Sequence, residues 1–153
     1  MIEIEQARKL LREAVDTQGE DFVYNLDGEQ SCFYKPLEGP SLLGPDDPRY
    51  KTGCLVGVAL NLAGETRHQD LRESVMSLHV YYPDMMSREA AVYFRVAQIA
   101  QDEGKTWGEA FKVAEDVLAT RVIPDDIRTA FWGDEHLIAG FVFEPEEQEP
   151  EDG

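Results

Sequence analysis

Apolar residues recur at helical spacing from the start of the chain. Ile4, Ala7, Leu11, Ala14 and Val15 form one stripe with Leu10 at its margin, while Glu3, Glu5, Arg8, Lys9, Arg12 and Glu13 mostly face away. Such a stripe predicts an amphipathic helix over 3–18, ended by a left-handed cap at Gly19. The period then shortens. FVYNL at 22–26 and SCFYK at 31–35 flank the turn dipeptide Asp27-Gly28, which predicts a short antiparallel hairpin. Pro36, Gly39, Pro40, Gly44, Pro45 and Pro48 then exclude a continuous helix or central strand over 36–51. A loop of that length is either a contact surface or a plain surface connection.

Helical spacing returns in TGCLVGVALNLAG at 52–64. Cys54, Leu55, Val58, Ala59 and Leu62 fit one face of a buried helix that Gly64 can stop. Gly57 lowers helix propensity by roughly 1 kcal/mol but permits close approach of another helix; a strand over CLVGVAL stays open. A short helix is expected at Asp70–Met76, and 78–86 read as a packed connector. Ser87 can cap a helix over 88–103, with Ala91, Phe94, Val96, Ala97 and Ile99 inward and Gly104 at its end. Thr106-Trp107-Gly108-Glu109 fits a capping box, followed by a core face of Ala110, Phe111, Val113, Ala114, Val117 and Leu118. With only Lys105 between Gly104 and the cap, these helices should form an antiparallel or angled pair. Ile127, Ala130 and Phe131 suggest one or two further helical turns. HLIAGFVF at 136–143 is strand-like and would either join the hairpin as a third strand or dock as an extended arm.

The fold class expected is therefore α+β: a mainly helical single domain over 1–143 with a small antiparallel hairpin or three-stranded sheet. A wholly helical fold with extended arms ranks second.

Charge narrows the choice of partner. The chain carries 31 Asp plus Glu against 14 Lys plus Arg, a formal net charge of −17. Residues 144–153 hold six of those acids and no base, so 1–143 still carries 25 acids against 14 bases, or −11. That final stretch has no apolar anchor, and ordering it would cost entropy without burying apolar area, so it is expected to be a disordered acidic tail. Net negative charge repels a nucleic-acid backbone and an anionic membrane, and no run approaches 18 apolar residues. The expected partner is a protein, in particular a basic or nucleic-acid-binding host protein, with no direct nucleic-acid or membrane contact. Two isolated cysteines, Cys32 and Cys54, make a reduced cytoplasmic protein the favoured reading over a disulfide.

Catalytic patterns do not emerge. His68, His79 and His136, with Cys32 and Cys54, form no CxxC or HExxH spacing, and Asp46-Asp47, Asp125-Asp126 and Asp134-Glu135 lack the alternation of an EF-hand loop. Cys54 near a helix start is the one tempting nucleophile, but it leads an apolar stripe and reads as core. Gly53, Gly57 and Gly64 form no phosphate-cradling motif. No catalytic residue, cofactor or metal is assigned. Trp107 reads as core. Tyr81, Tyr82, Met85, Met86 and Trp132 are the candidate partner-binding residues, because aromatics and methionine are enriched in contact cores. The expected function is a small acidic non-enzymatic protein that binds and modulates another protein. Two alternatives stay open: a DNA-mimic inhibitor of a nucleic-acid-binding protein, and a small ligand-binding protein or hydrolase using carboxylates with His68 or His79.

Three blocks add a likeness: GEDFVYN at 19–25, CLVGVALNLAG at 54–64 and AQDEGKTWGEAFKVAE at 100–115. They cover less than a quarter of the chain, though their order spans most of it. In them the chain resembles a family of small uncharacterised proteins from actinobacteria and actinobacterial bacteriophages. The resemblance implies such an origin and a shared single-domain fold, with a phage factor acting on a host or defence protein as the natural setting. It implies no activity, cofactor or catalytic residue.

Overall fold

The computed structural model describes residues 1–25, 33–38 and 46–145. Those residues are mainly helical, with one small sheet. Helix α1 (Ile4–Gln18) buries Ala7, Leu10, Leu11, Ala14 and Val15, the expected stripe. Helices α2 (Leu55–Leu62), α3 (Val75–Tyr81), α4 (Arg88–Asp102) and α5 (Trp107–Thr120) follow. Short 3-10 turns lie at Pro48–Tyr50, Asp125–Phe131 and Glu135–Leu137. Helix α4 is the central element and packs against α1, α2, α3 and α5. Its burial extends well beyond one stripe, from Ala90 to Phe94 and from Val96 to Gln101.

The sheet differs from expectation in place and direction. Strands β1 (Val122–Ile123) and β2 (Val142–Phe143) pair in parallel, Val122 beside Val142 and Ile123 beside Phe143. Among the described residues no antiparallel hairpin is present: its turn, Asp27-Gly28, lies outside them, and the described parts of its flanks contain no strand. The physical reason is that these flanks spend their carbonyls on helix ends. Glu20 O and Phe22 O accept from Gly108 N and Trp107 N, both at 2.9 Å, at the start of α5. Phe33 O accepts from Cys54 N at 2.7 Å, just ahead of α2. The first amides of a helix have no partner inside it, so such acceptors complete it. The run 136–143 likewise forms a 3-10 turn and only two strand residues, after Gly140 turns the chain at φ +93°.

Helix α3 also sits downstream of the helix expected at Asp70–Met76. Ser74 is its N-cap, with its hydroxyl accepting from Ser77 N, and Val75, Met76 and Leu78 supply its buried face. Residues read as a connector are thus partly helical. The anticipated close approach at Gly57 is present, but to backbone instead of another helix: a Cβ there would overlap the carbonyl of Tyr34. Gly53 meets the same carbonyl, so the 33–38 segment lies directly on the start of α2. Trp107, Tyr24, Tyr34, Tyr93, Phe94 and Phe131 are the largest fully buried side chains. The proposed tail, 144–153, falls mostly outside the described residues. Among those residues no helix is long and apolar enough to cross a membrane.

Candidate functional site

Two kinds of place could carry function: the polar groups inside the fold and the large apolar groups left outside it. The interior set is organised by Gln98 and Gln101, three residues apart on α4 and both buried. Gln101 Oε1 accepts from Leu55 N at 2.7 Å, the first amide of α2, and from Trp107 Nε1 at 3.2 Å. Its amide nitrogen donates to Asp102 Oδ1 at 3.1 Å. Gln98 Oε1 accepts from Val75 N at 3.2 Å, the first amide of α3, and from Arg95 Nη1 at 2.9 Å. Gln98 Nε2 donates to the Tyr34 hydroxyl at 3.1 Å, and that hydroxyl donates to Glu73 O. Arg95 Nη2 reaches Ala130 O at 3.3 Å, and Asn25 Nδ2 donates to Asp102 O at 3.0 Å.

Burial shifts the titration of this set. It pushes the Asp102 carboxyl up to about 6, raises the Tyr24 and Tyr34 phenols, and lowers Arg95. Perturbed groups are candidates for catalysis, yet most of these contacts end on backbone amides and carbonyls. The array joins helices; among the described residues it presents no nucleophile beside a base. Sequence reasoning overlooked Gln98 and Gln101. The available signal was a pair of amides at i, i+3 inside the otherwise apolar VAQIAQ, where a polar side chain needs a buried partner.

The histidines do not assemble into acid–base machinery. His68 is buried, its Nε2 lies 3.0 Å from Asn61 Oδ1, and its ring sits edge-on to Tyr34; burial lowers its pKa. Its acidic neighbour Glu65 is engaged by Arg67 at 2.9 Å, which holds that carboxyl below its ordinary value. His79 Nδ1 lies 3.1 Å from Met86 O. Cys54 is in a disulfide, contrary to the reduced reading, and so offers no thiolate; the chain's other cysteine, Cys32, lies outside the described residues. Among the described residues no group of three or more His, Cys, Asp or Glu converges to hold a metal ion.

The partner-binding candidates divide. Trp132 is 70% exposed and Tyr81 64%, with Val80 exposed beside it. Tyr82 is half-buried beneath the Arg67 guanidinium, 4.9 Å from its ring centre. Met85 and Met86 are buried and cannot offer their side chains to a partner. The N-terminus accounts for this: Ile2 N donates to Met85 O, Ser87 N donates to Ile2 O, both at 2.9 Å, and Ile2 bridges to Met86 in parallel. The two methionines therefore belong to a core contact with the first residues of the chain.

Two surface clefts contain charge that is partly paired. One, of about 330 Å³, lies between the 33–38 and 69–72 segments, where Lys35 bridges Asp70 at 2.6 Å and Arg72 lies over Phe33. The other, of about 430 Å³, lies between α1 and α5, where Arg8 bridges Glu115 at 3.1 Å and Arg12 lies over Phe111. The acids of α1 form no unbroken row. Glu5, Glu13 and Asp16 are interleaved with Arg8, Lys9 and Arg12, and Arg12 pairs with both Asp16 and Glu20.

No protein-family model matches the chain, and it matches no curated protein and no solved structure.

Proposed function

We propose that this chain is a small acidic, non-enzymatic protein that binds and modulates another protein. The observation that carries the reading is the exposure of Trp132 and Tyr81 in a fold that completely buries Trp107, Tyr24, Tyr34 and Tyr93. Most other described aromatics are buried or half-buried, whereas these two stand in water, and Trp and Tyr are the side chains that most often anchor protein contacts. The net charge of −17 directs the choice toward a basic or nucleic-acid-binding partner through long-range attraction. The likeness at 19–25, 54–64 and 100–115 supports a phage factor acting on a host or defence protein. A cytoplasmic setting would place the Cys54 disulfide among cellular reductants, so its redox state in fresh lysate reports the compartment.

The test is capture from actinobacterial lysate by the immobilised protein, compared with Trp132→Ala and Tyr81→Ala. Each variant should melt with the wild type while retaining about tenfold less of the same captured protein. Equal capture by all three would remove these aromatics from the contact. Displacement of the captured protein by duplex DNA would instead favour mimicry of nucleic acid.

A further inference from the structure

Helix α5 has a second outward side. Phe111 and Glu115 face α1, whereas Val113 and Val117 look across a groove of about 380 Å³ toward Val122 and Pro124. Val117 is the buried floor, and Val113, Val122 and Pro124 are half-exposed walls. The apolar strip continues onto β2. Val142 is 61% exposed and stands in register with Val122, and side chains in register on adjacent strands share a face.

The charged groups lining this groove are few and of one sign, with the Arg128 cation beyond them, donating to Glu144 O and bridging Asp125. Thr120 is satisfied locally, its hydroxyl donating to Asp116 O at 2.9 Å and accepting from Val122 N at 3.2 Å. Among the described residues, the only charged ones lining it are Asp116 and Glu144. Asp116 enters no ion pair with any of those residues, and a Glu144 carboxylate oxygen is held at the groove by Asp125 N at 3.1 Å. Five further acids follow Glu144 in the sequence, at 146, 147, 149, 151 and 152.

We infer that this groove receives a basic amphipathic segment of a partner protein, its apolar face on Val113, Val117, Val122 and Val142 and its cations beside Asp116 and Glu144. An apolar floor accepts one face of an amphipathic helix, and a rim of one sign selects the opposite charge. A second copy of this chain is disfavoured by the same charges, because docking it would bring two chains of −17 together. The inference rests on the reading of the protein as a binding module, but on a surface that includes neither Tyr81 nor Trp132.

The probe is a fluorescent peptide of about five helical turns, with Leu along one face and Lys on the other, titrated with the intact protein and read by anisotropy. Val113→Arg should weaken binding about tenfold by filling the groove with a bulky cation, and Val142→Ser should weaken it several-fold by removing apolar area from its edge without adding charge. Val142 is exposed, so its variant folds even if the Val113 variant does not. Asp116→Lys should weaken binding several-fold at low salt and little at high salt. A peptide with Glu in place of Lys should not bind. Unchanged binding to Val142→Ser, or equal binding of a Ser-for-Leu peptide, would overturn the groove and leave only diffuse charge attraction. A dimer in sedimentation that Val142→Ser dissolves would also overturn it, with a second copy as the occupant. Tyr81→Ala and Trp132→Ala should bind the peptide as the wild type does, so failure of the groove and failure of the exposed aromatics are separately visible.

Discussion

Helices α4 and α5 are neighbours of nearly equal length, 15 and 14 residues, and the chain uses them in opposite ways. Helix α4 is enclosed on most sides, and its two glutamines complete the first turns of α2 and α3. Helix α5 buries Trp107, Ala110, Ala114 and Val117, while its remaining faces border two clefts. The contrast teaches where change can be tolerated. The Gln98 and Gln101 oxygens on α4 have partners that water cannot replace; a polar atom on the exposed side of α5 has water as a substitute. The interior helix sets the arrangement, and the peripheral one is free to carry recognition.

The sharpest way to break that comparison is Gln101→Leu. The substitution keeps apolar bulk but leaves Leu55 N–H and Trp107 Nε1–H without their acceptor in the interior. A buried donor without a partner costs about 1–3 kcal/mol, so losing both should destabilise the protein by about 4 kcal/mol. Urea denaturation measures it, and near-wild-type stability would show that Gln101 does not hold α2 and α5 together.

Asp102, the last residue of α4, has a smaller effect of opposite sign. Burial raises its carboxyl from 3.8 to about 6. The folded state therefore binds this proton more tightly than the unfolded state. The associated stability is fully present below about pH 3.8 and is lost as pH rises through about 6. A carboxyl displaced that far costs the folded state about 3 kcal/mol once it is ionised. Asp102→Asn keeps an oxygen acceptor for Gln101 but removes the charge and its attraction to Arg95, so a net gain of about 2 kcal/mol is expected near pH 8. The gain should shrink toward zero as pH falls to 4. Asp47 and Glu65 run the other way. Hydrogen bonds from Arg49 and Arg67 depress them, so their stabilisation is present above the unfolded carboxyl range and is lost as pH falls below it. Denaturant midpoints for both proteins across pH 4–8 separate these slopes, and a pH-independent difference would remove Asp102 from the buried polar set.

These effects also explain how much the sequence disclosed. Helix α1, the Ser87 cap, the stop at Gly104 and the Thr106 box were legible because each is encoded within a few residues. The sheet was not legible. Its strands are two residues long, its partners lie about twenty positions apart, and nothing local marks Val122 for Val142. The end of α5 was hidden for another reason: Arg121, not glycine, adopts φ +60° there, supported by its ion pair with Glu89 and by its place over Phe141. Among the candidate contact residues, Tyr81 and Trp132 were named from residue type alone, and both lie exposed. Met85 and Met86 were misassigned because methionine suits core and interface equally, and their cover comes from Ile2 at the far end of the chain.

The smallest effect should come from the start of α5, where four acceptors share the task. Trp107 N and Gly108 N are satisfied by Phe22 O and Glu20 O. Thr106 Oγ1 accepts from Glu109 N at 3.1 Å, and Glu109 Oε1 accepts from Thr106 N at 3.4 Å. Thr106→Ala removes the hydroxyl and leaves Glu109 N at an exposed position, where water can replace the lost acceptor. A loss of about 1 kcal/mol is expected, with Thr106→Ser close to wild type because the cap oxygen remains. The carbonyls of Glu20 and Phe22 should still fix where the helix begins, so protection of the Trp107 amide in hydrogen exchange should persist in the variant. If Thr106→Ala instead matched Gln101→Leu in cost and lost that protection, the start of α5 would depend on its cap as α2 depends on Gln101. The proposed division between an interior helix that cannot spare its polar contacts and a peripheral one that can would then fail.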